Sequence, residues 1–92
     1  MKIEFVRNIQ FSKLVKVDGQ LREFNFRKVS AINEERFTVD FNDDRNRRIV
    51  FNMRKEDGSW KIISPEELPG TISESETKFH EVIEAEMKAS GS

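Results

Sequence analysis

Few residues in this chain are of a type that does covalent or acid–base chemistry, and their spacing decides whether they could act together. The single histidine, His80, lies four residues from Glu76 and four from Glu84. On a helix that spacing lines two carboxylates and one imidazole along one side, a partial set of metal ligands. It is equally the spacing at which exposed helical side chains pair, and three groups on one helix leave a metal site incomplete. Asp43 and Asp44 are adjacent carboxylates beside Arg45, Arg47 and Arg48. That run reads as a turn, in which aspartates bond the local backbone and balance charge before they serve as acid and base. Cysteine and tyrosine are absent, and no serine has an elbow-like glycine context. Disulfides, thiolate metal sites and cysteine nucleophiles are excluded, and there is no histidine-based triad or glycine-rich phosphate loop. We therefore expect no catalytic residue, no metal site and no cofactor.

The remaining chemical character is cationic. Whether Arg36, Arg54 and Lys61 meet depends on the strands that carry them, and residues 36–64 allow those strands to be aligned from the letters alone. Asp57-Gly58 lies between two alternating apolar runs, a type I′ hairpin signal, because both central residues of that turn need φ > 0. A two-residue loop pairs Glu56 with Ser59, Lys55 with Trp60, Arg54 with Lys61 and Met53 with Ile62. Phe51, Met53, Trp60 and Ile62 then share one side, since side chains alternate along a strand. Requiring the same side of the preceding strand sets Phe37, Val39 and Phe41 opposite Met53, Phe51 and Ile49. That pairing needs a three-residue loop, Asp44-Arg45-Asn46, with Asn46 in the left-handed position that a type I turn plus bulge requires. A two-residue loop would turn the apolar face outward.

The opposite side of these strands carries Arg36 opposite Arg54, Arg54 opposite Lys61, Thr38 opposite Asn52 and Asn42 opposite Arg48. Directly opposed cations are unfavourable by roughly 0.2–1 kcal/mol per pair unless something neutralises them. A phosphate, an acidic peptide or a nucleic-acid backbone would do so. So would Asp40, Glu56 or the N-terminal strands, or simple extension of the long side chains into water. The anion- or partner-binding residues expected from the sequence are Arg36, Arg54, Lys61 and Arg48. Nucleic acid fits this face less well than a protein or a small anion. Base stacking on a sheet uses aromatics exposed among the cations, and the meander's aromatics point to the other side. Only Phe24-Asn25-Phe26-Arg27-Lys28 interleaves the two types, and its phenylalanines are expected in the core.

The rest of the chain supplies the elements around this meander. Residues 2–17 alternate with odd positions mostly apolar, interrupted by Arg7 and Lys13, and their length suggests a bend or bulge near Arg7–Gln10. Asp18-Gly19 is a turn signal and Leu21–Val29 the next strand. A two-residue loop there would oppose Val15 to Arg22 and Lys13 to Phe24, so a longer loop or a bulge between Leu21 and Phe24 is expected. Ser30–Glu35 reads as a short connection. Pro65 and Pro69 break the regular structure in a linker, residues 65–72, anchored by Leu68. A helix over about 73–89 follows, with Ser73 and Glu76, or Thr71 and Glu74, as a capping box. Ile72, Phe79, Val82, Ile83 and Met87 form its apolar stripe.

These readings amount to an α+β domain: a five- to six-stranded antiparallel meander, curled toward a half-barrel, closed by one C-terminal amphipathic helix. Curling is expected because eight phenylalanines exceed what one helix covers on a flat sheet. Strands followed by a closing helix resemble the pleckstrin-homology-like architecture in outline, one strand short and without a motif of that family. Ninety-two residues make one domain, 1–92, able to bury a core without staples. The net charge of −1 hides an asymmetry: residues 1–64 carry 14 Lys or Arg against 10 Asp or Glu, and residues 65–92 carry 2 against 7. Attraction between a basic sheet and an acidic helix within one molecule accounts for it. With no apolar run of membrane-spanning length and no signal-like start, the expectation is a cytoplasmic protein that avoids membranes and is a monomer or weak homodimer. Its expected role is non-catalytic binding or protein interaction through the basic sheet face. The alternative is a carrier or sensor of a small apolar ligand held between sheet and helix.

Overall fold

The computed structural model describes residues 9–31 and 34–89. Five strands follow in chain order: β1 (Gln10–Val17), β2 (Gln20–Ala31), β3 (Glu34–Asn42), β4 (Arg48–Glu56) and β5 (Ser59–Ile62). Each pairs antiparallel with its neighbour in sequence, giving one sheet in the order β1-β2-β3-β4-β5. A single 3-10 turn (Pro65–Glu67) leads to a one-turn helix, α1 (Gly70–Ser73), and then to α2 (Glu76–Ala89). The sheet is a curled half-barrel and α2 closes its concave side. No helix among the described residues is long and apolar enough to cross a membrane.

The register expected from the turns is the one found. Phe37, Val39 and Phe41 lie opposite Met53, Phe51 and Ile49, and Arg54 and Lys55 lie opposite Lys61 and Trp60. Asp57 and Gly58 have φ of 52° and 80°, and Asn46 has φ of 61°. The Asp43 N–H donates to the Arg47 carbonyl across the three-residue loop. Turn conformation and apolar alternation specify the same alignment, and Phe37, Val39, Phe41, Phe51, Met53, Trp60 and Ile62 are all buried on one face.

Two expectations in the N-terminal half are corrected. The β1–β2 turn is the plain two-residue loop, with Asp18 and Gly19 at φ of 53° and 76°, and Val15 does oppose Arg22 and Lys13 does oppose Phe24 without a bulge. The two cations share the inner face with Phe24 and Phe26 because their stems reach its rim. Arg22 donates to the Asn42 carbonyl at 3.3 Å and pairs with Asp44. Lys13 pairs with Glu86 of α2 at 3.4 Å. The second correction is the Ser30–Glu35 connection: β2 runs to Ala31 and β3 resumes at Glu34, with Val29 opposite Arg36 and Ser30 opposite Glu35. The bend expected near Arg7–Gln10 falls largely outside the described residues. Ile9 already belongs to the ladder, its carbonyl accepting from Lys28 at 2.8 Å.

The inner face and α2 bury a ring-rich core. Phe24, Phe37, Phe79 and Ile83 are 0% exposed, and Trp60 is 1% exposed. Phe79 stands at its centre, 5.0 Å from the Phe24 ring and 5.5 Å from Phe51. Trp60 meets Phe37 edge-on at 5.1 Å. Such pairs add about 0.5–1.5 kcal/mol to the gain from burial alone. Val82, Met87 and Leu68 pack at the margin of this cluster. The helical stretch is divided, with residues 74 and 75 a turn between α1 and α2. The Ser75 hydroxyl donates to the Thr71 carbonyl at 2.8 Å, and the Ser75 carbonyl accepts from Phe79 N–H at 3.1 Å, tying the two pieces together.

Candidate functional site

The convex outer face of the sheet carries the cationic residues singled out above. Arg36, Arg54 and Lys61 form one cross-strand row over β3, β4 and β5, with Val29 completing it on β2. In the neighbouring row, Arg27 opposes Thr38 and Thr38 opposes Asn52. Arg27 is thereby the diagonal neighbour of Arg36, roughly 7–8 Å away in such a ladder. Sequence reading missed it because the β2–β3 alignment had no turn signal comparable to Asp-Gly; the odd-numbered, outward positions of β2 were the signal available. Arg48 is not part of the row. It lies at the other end of β4, six residues from Arg54 and so about 20 Å along the strand.

Counter-charges on this face are few and local. Arg54 donates to Glu56 from Nε at 3.0 Å and from Nη2 at 2.5 Å, both residues being on β4. Arg48 pairs with Asp40 at 3.2 Å. Arg36 is half-buried, while Arg27 and Lys61 are exposed and no carboxylate pairs with either among the described residues. Between the cations runs a ladder of hydrogen-bonded polar groups. Ser12 donates to Asn25 at 2.6 Å, Asn25 to Asp40 at 2.9 Å, and Thr38 to Asn52 at 2.9 Å. An open cleft of about 450 Å³ borders this ladder, with Arg27 and Arg48 at its rim. Among the described residues, the outward positions of β1–β5 therefore present N–H donors and positive charge and carry no aromatic side chain. They can take carboxylate or phosphate oxygens and offer nothing for a base to stack upon.

Glu76, His80 and Glu84 have a different task from metal binding. The Trp60 N–H donates to His80 Nδ1 at 3.0 Å, and the Ile62 N–H donates to Glu76 Oε2 at 2.8 Å. The Trp60 indole donates to Glu84 Oε2 at 3.2 Å. Trp60 and Ile62 are the residues of β5 whose backbone N–H groups point away from β4, so α2 supplies acceptors where a sixth strand would lie. Among the described residues, no three His, Cys, Asp or Glu are grouped to hold a metal ion. Asp43 is likewise committed to its turn. Its Oδ1 accepts from the N–H groups of Arg45 at 2.9 Å and Arg47 at 2.8 Å, and its Oδ2 pairs with the Arg47 side chain at 3.1 Å.

The charge asymmetry is met in part within the molecule: Lys13–Glu86 and Lys55–Glu84, the latter at 3.8 Å, join the inner face to α2. The outer-face cations lie on the far side of the sheet from α2. Compared with protein-family models, with curated proteins and with solved structures, the chain finds no match.

Proposed function

We propose that this domain acts by binding rather than catalysis, and that its outer sheet face engages carboxylate or phosphate groups of an anionic partner. The observation that carries the reading is the row Arg36–Arg54–Lys61, with Arg27 beside it. Holding like charges in adjacent positions costs stability, and an anion laid across them reverses the sign of that cost. Among the described residues, Glu56 pairs with Arg54 only, and Lys61 and Arg27 are exposed. The fully buried rings between sheet and α2 favour a surface interaction over a carrier of a small apolar ligand, because Phe24, Phe37 and Phe79 already fill that space.

The test is calorimetric titration with a polyglutamate peptide and with inorganic triphosphate at low ionic strength, on the native chain and on the Arg54→Gln/Lys61→Gln double variant. We expect binding by the native chain that weakens as salt is added, loss of binding by the variant, and a variant thermal midpoint unchanged or raised. Absence of binding to both probes would overturn the reading. So would a lowered midpoint in the variant, which would mean that the row is neutralised within the molecule.

A further inference from the structure

The two edges of the sheet differ. On β5 the outward N–H groups are covered by α2, as described above. On β1 they are open as far as the described residues go. The bond from Lys28 N–H to the Ile9 carbonyl fixes the alternation of the ladder: odd residues of β1 bond to β2, and Ser12, Leu14 and Lys16 direct their N–H and C=O groups away from it. Among the described residues, one contact reaches this edge, from the Lys78 ammonium to the Lys16 carbonyl at 2.6 Å. The side chains there are unusual as well. Leu14 and Leu21 are 64% and 65% exposed, the two most exposed large apolar residues described. They are diagonal neighbours on the outer face, because Leu14 opposes Glu23 while Leu21 opposes Lys16. Along the inner side of the same edge runs an open groove of about 480 Å³ between β1 and α2, with Val15, Val82 and Ala85 among its apolar lining.

We infer that the occupant of this edge is β1 of a second copy, paired antiparallel about a two-fold axis at Leu14. In that register Ser12, Leu14 and Lys16 of one copy exchange backbone bonds with Lys16, Leu14 and Ser12 of the other. Charge and the cover of Leu14 together select it among the alternatives, since a register centred on Ser12 would leave Leu14 opposite Gln10. The register centred on Leu14 sets Lys16 opposite Ser12 and Lys13 opposite Val15, so no lysine faces a lysine. Sliding one copy by two residues in one direction opposes Lys13 to Lys13, and by four residues in the other opposes Lys16 to Lys16. A slide of two residues in that second direction opposes Leu14 to Lys16 and shortens the ladder by bringing Ser12 against the turn residue Asp18. The chosen register places Leu14 beside its symmetry mate, with Leu21 flanking on each side, and so covers the exposed pair. The Lys16 carbonyl has two lone pairs and can keep Lys78 while accepting from Ser12 of the other copy. The interface is isologous and closed.

Sedimentation velocity over a range of protein concentrations tests the inference. The native chain should pass to a species of twice the 10.8 kDa chain mass as concentration rises. Ser12→Pro removes an outward N–H and no bond of the β1–β2 ladder, and Leu14→Glu places two carboxylates at the axis. Both should remain monomeric at concentrations where the native chain is dimeric, with an unchanged far-ultraviolet dichroism spectrum. If Ser12→Pro fails to fold, Leu14→Glu decides alone. Leu14→Cys, in a chain that has no other cysteine, should form a cross-linked dimer under mild oxidation, since paired strands bring Cα atoms to about 5.5 Å. A native chain that stays monomeric at the highest attainable concentration overturns the inference. A dimer that survives in folded Leu14→Glu does so equally.

Discussion

At the scale of single residues, the groups that looked most like chemistry prove to be structural acceptors. His80 Nδ1 accepts the Trp60 N–H at 3.0 Å. Replacing His80 or Glu76 by Ala leaves a partly buried backbone donor without its acceptor, at a cost of about 1–3 kcal/mol. Glu81, one position along and exposed, should cost close to nothing when made Ala. Urea unfolding midpoints of the three variants would show the contrast; equal midpoints would remove the edge-covering role. Asp43 gives a pH dependence of known sign. The hydrogen bond from the Arg47 N–H, helped by that from the Arg45 N–H and by the Arg47 side chain, holds its carboxyl below the ordinary value of 3.8, against an opposing effect of desolvation. A carboxyl depressed in the folded state stabilises above its unfolded pKa, and that contribution is lost as pH falls through the folded value. Stability should therefore decline below about pH 4, and Asp43→Asn, which keeps an acceptor oxygen but no charge, should flatten part of that decline in a series of thermal melts.

At the scale of elements, the hairpins differ in how openly the sequence displays them. The β3–β4–β5 alignment was legible because Asn46, Asp57 and Gly58 demand particular turns, and those turns agree with the apolar alternation of Phe37 to Ile62. The turn chemistry has a measurable weight. Gly58→Ala forces a β-carbon into a left-handed conformation at φ of 80°, which should cost roughly 1–2 kcal/mol. The loss should appear as a lower melting temperature with no change in fold, since nothing stands within 4 Å of the added carbon. The β1–β2 alignment was not legible, because Lys13 and Arg22 occupy inward positions and read as breaks in the pattern. Their partners, Glu86 and Asp44, lie far along the chain, and only the curled sheet brings them close. The same limit hid the role of α2. An i, i+4, i+8 series announces one helix side, but not that the side faces the edge of β5. The basic row, by contrast, followed directly once the register was known, and Arg27 escaped it for want of a β2–β3 turn signal.

At the scale of the whole molecule, sheet and α2 share one set of buried rings, and neither can expose its apolar side without the other. Phe79 and Ile83 from α2 lie among Phe24, Phe26 and Phe51 from the sheet. Unfolding should therefore be a single transition. Trp60, the only tryptophan, is a built-in reporter of that docking, buried against Phe37 and bonded to Glu84. Its fluorescence and the far-ultraviolet dichroism should trace the same curve in urea; a fluorescence change that runs ahead of the dichroism would mean that α2 undocks from a sheet that persists. The molecule is also polarised by face. Ion pairs draw α2 to the inner side, and on the outer side Asp40 pairs with Arg48 and Glu56 with Arg54.

The covering of β5 by α2 also sets how far sheets can join during folding. Before α2 docks, Glu76 and His80 do not yet accept from the outward N–H groups of β5. A sheet in that state has two open edges among the described residues, and a sheet with two open edges can be extended indefinitely by its neighbours. Once α2 docks, β1 is the one open edge among the described residues, and sheets joined through that edge alone stop at two.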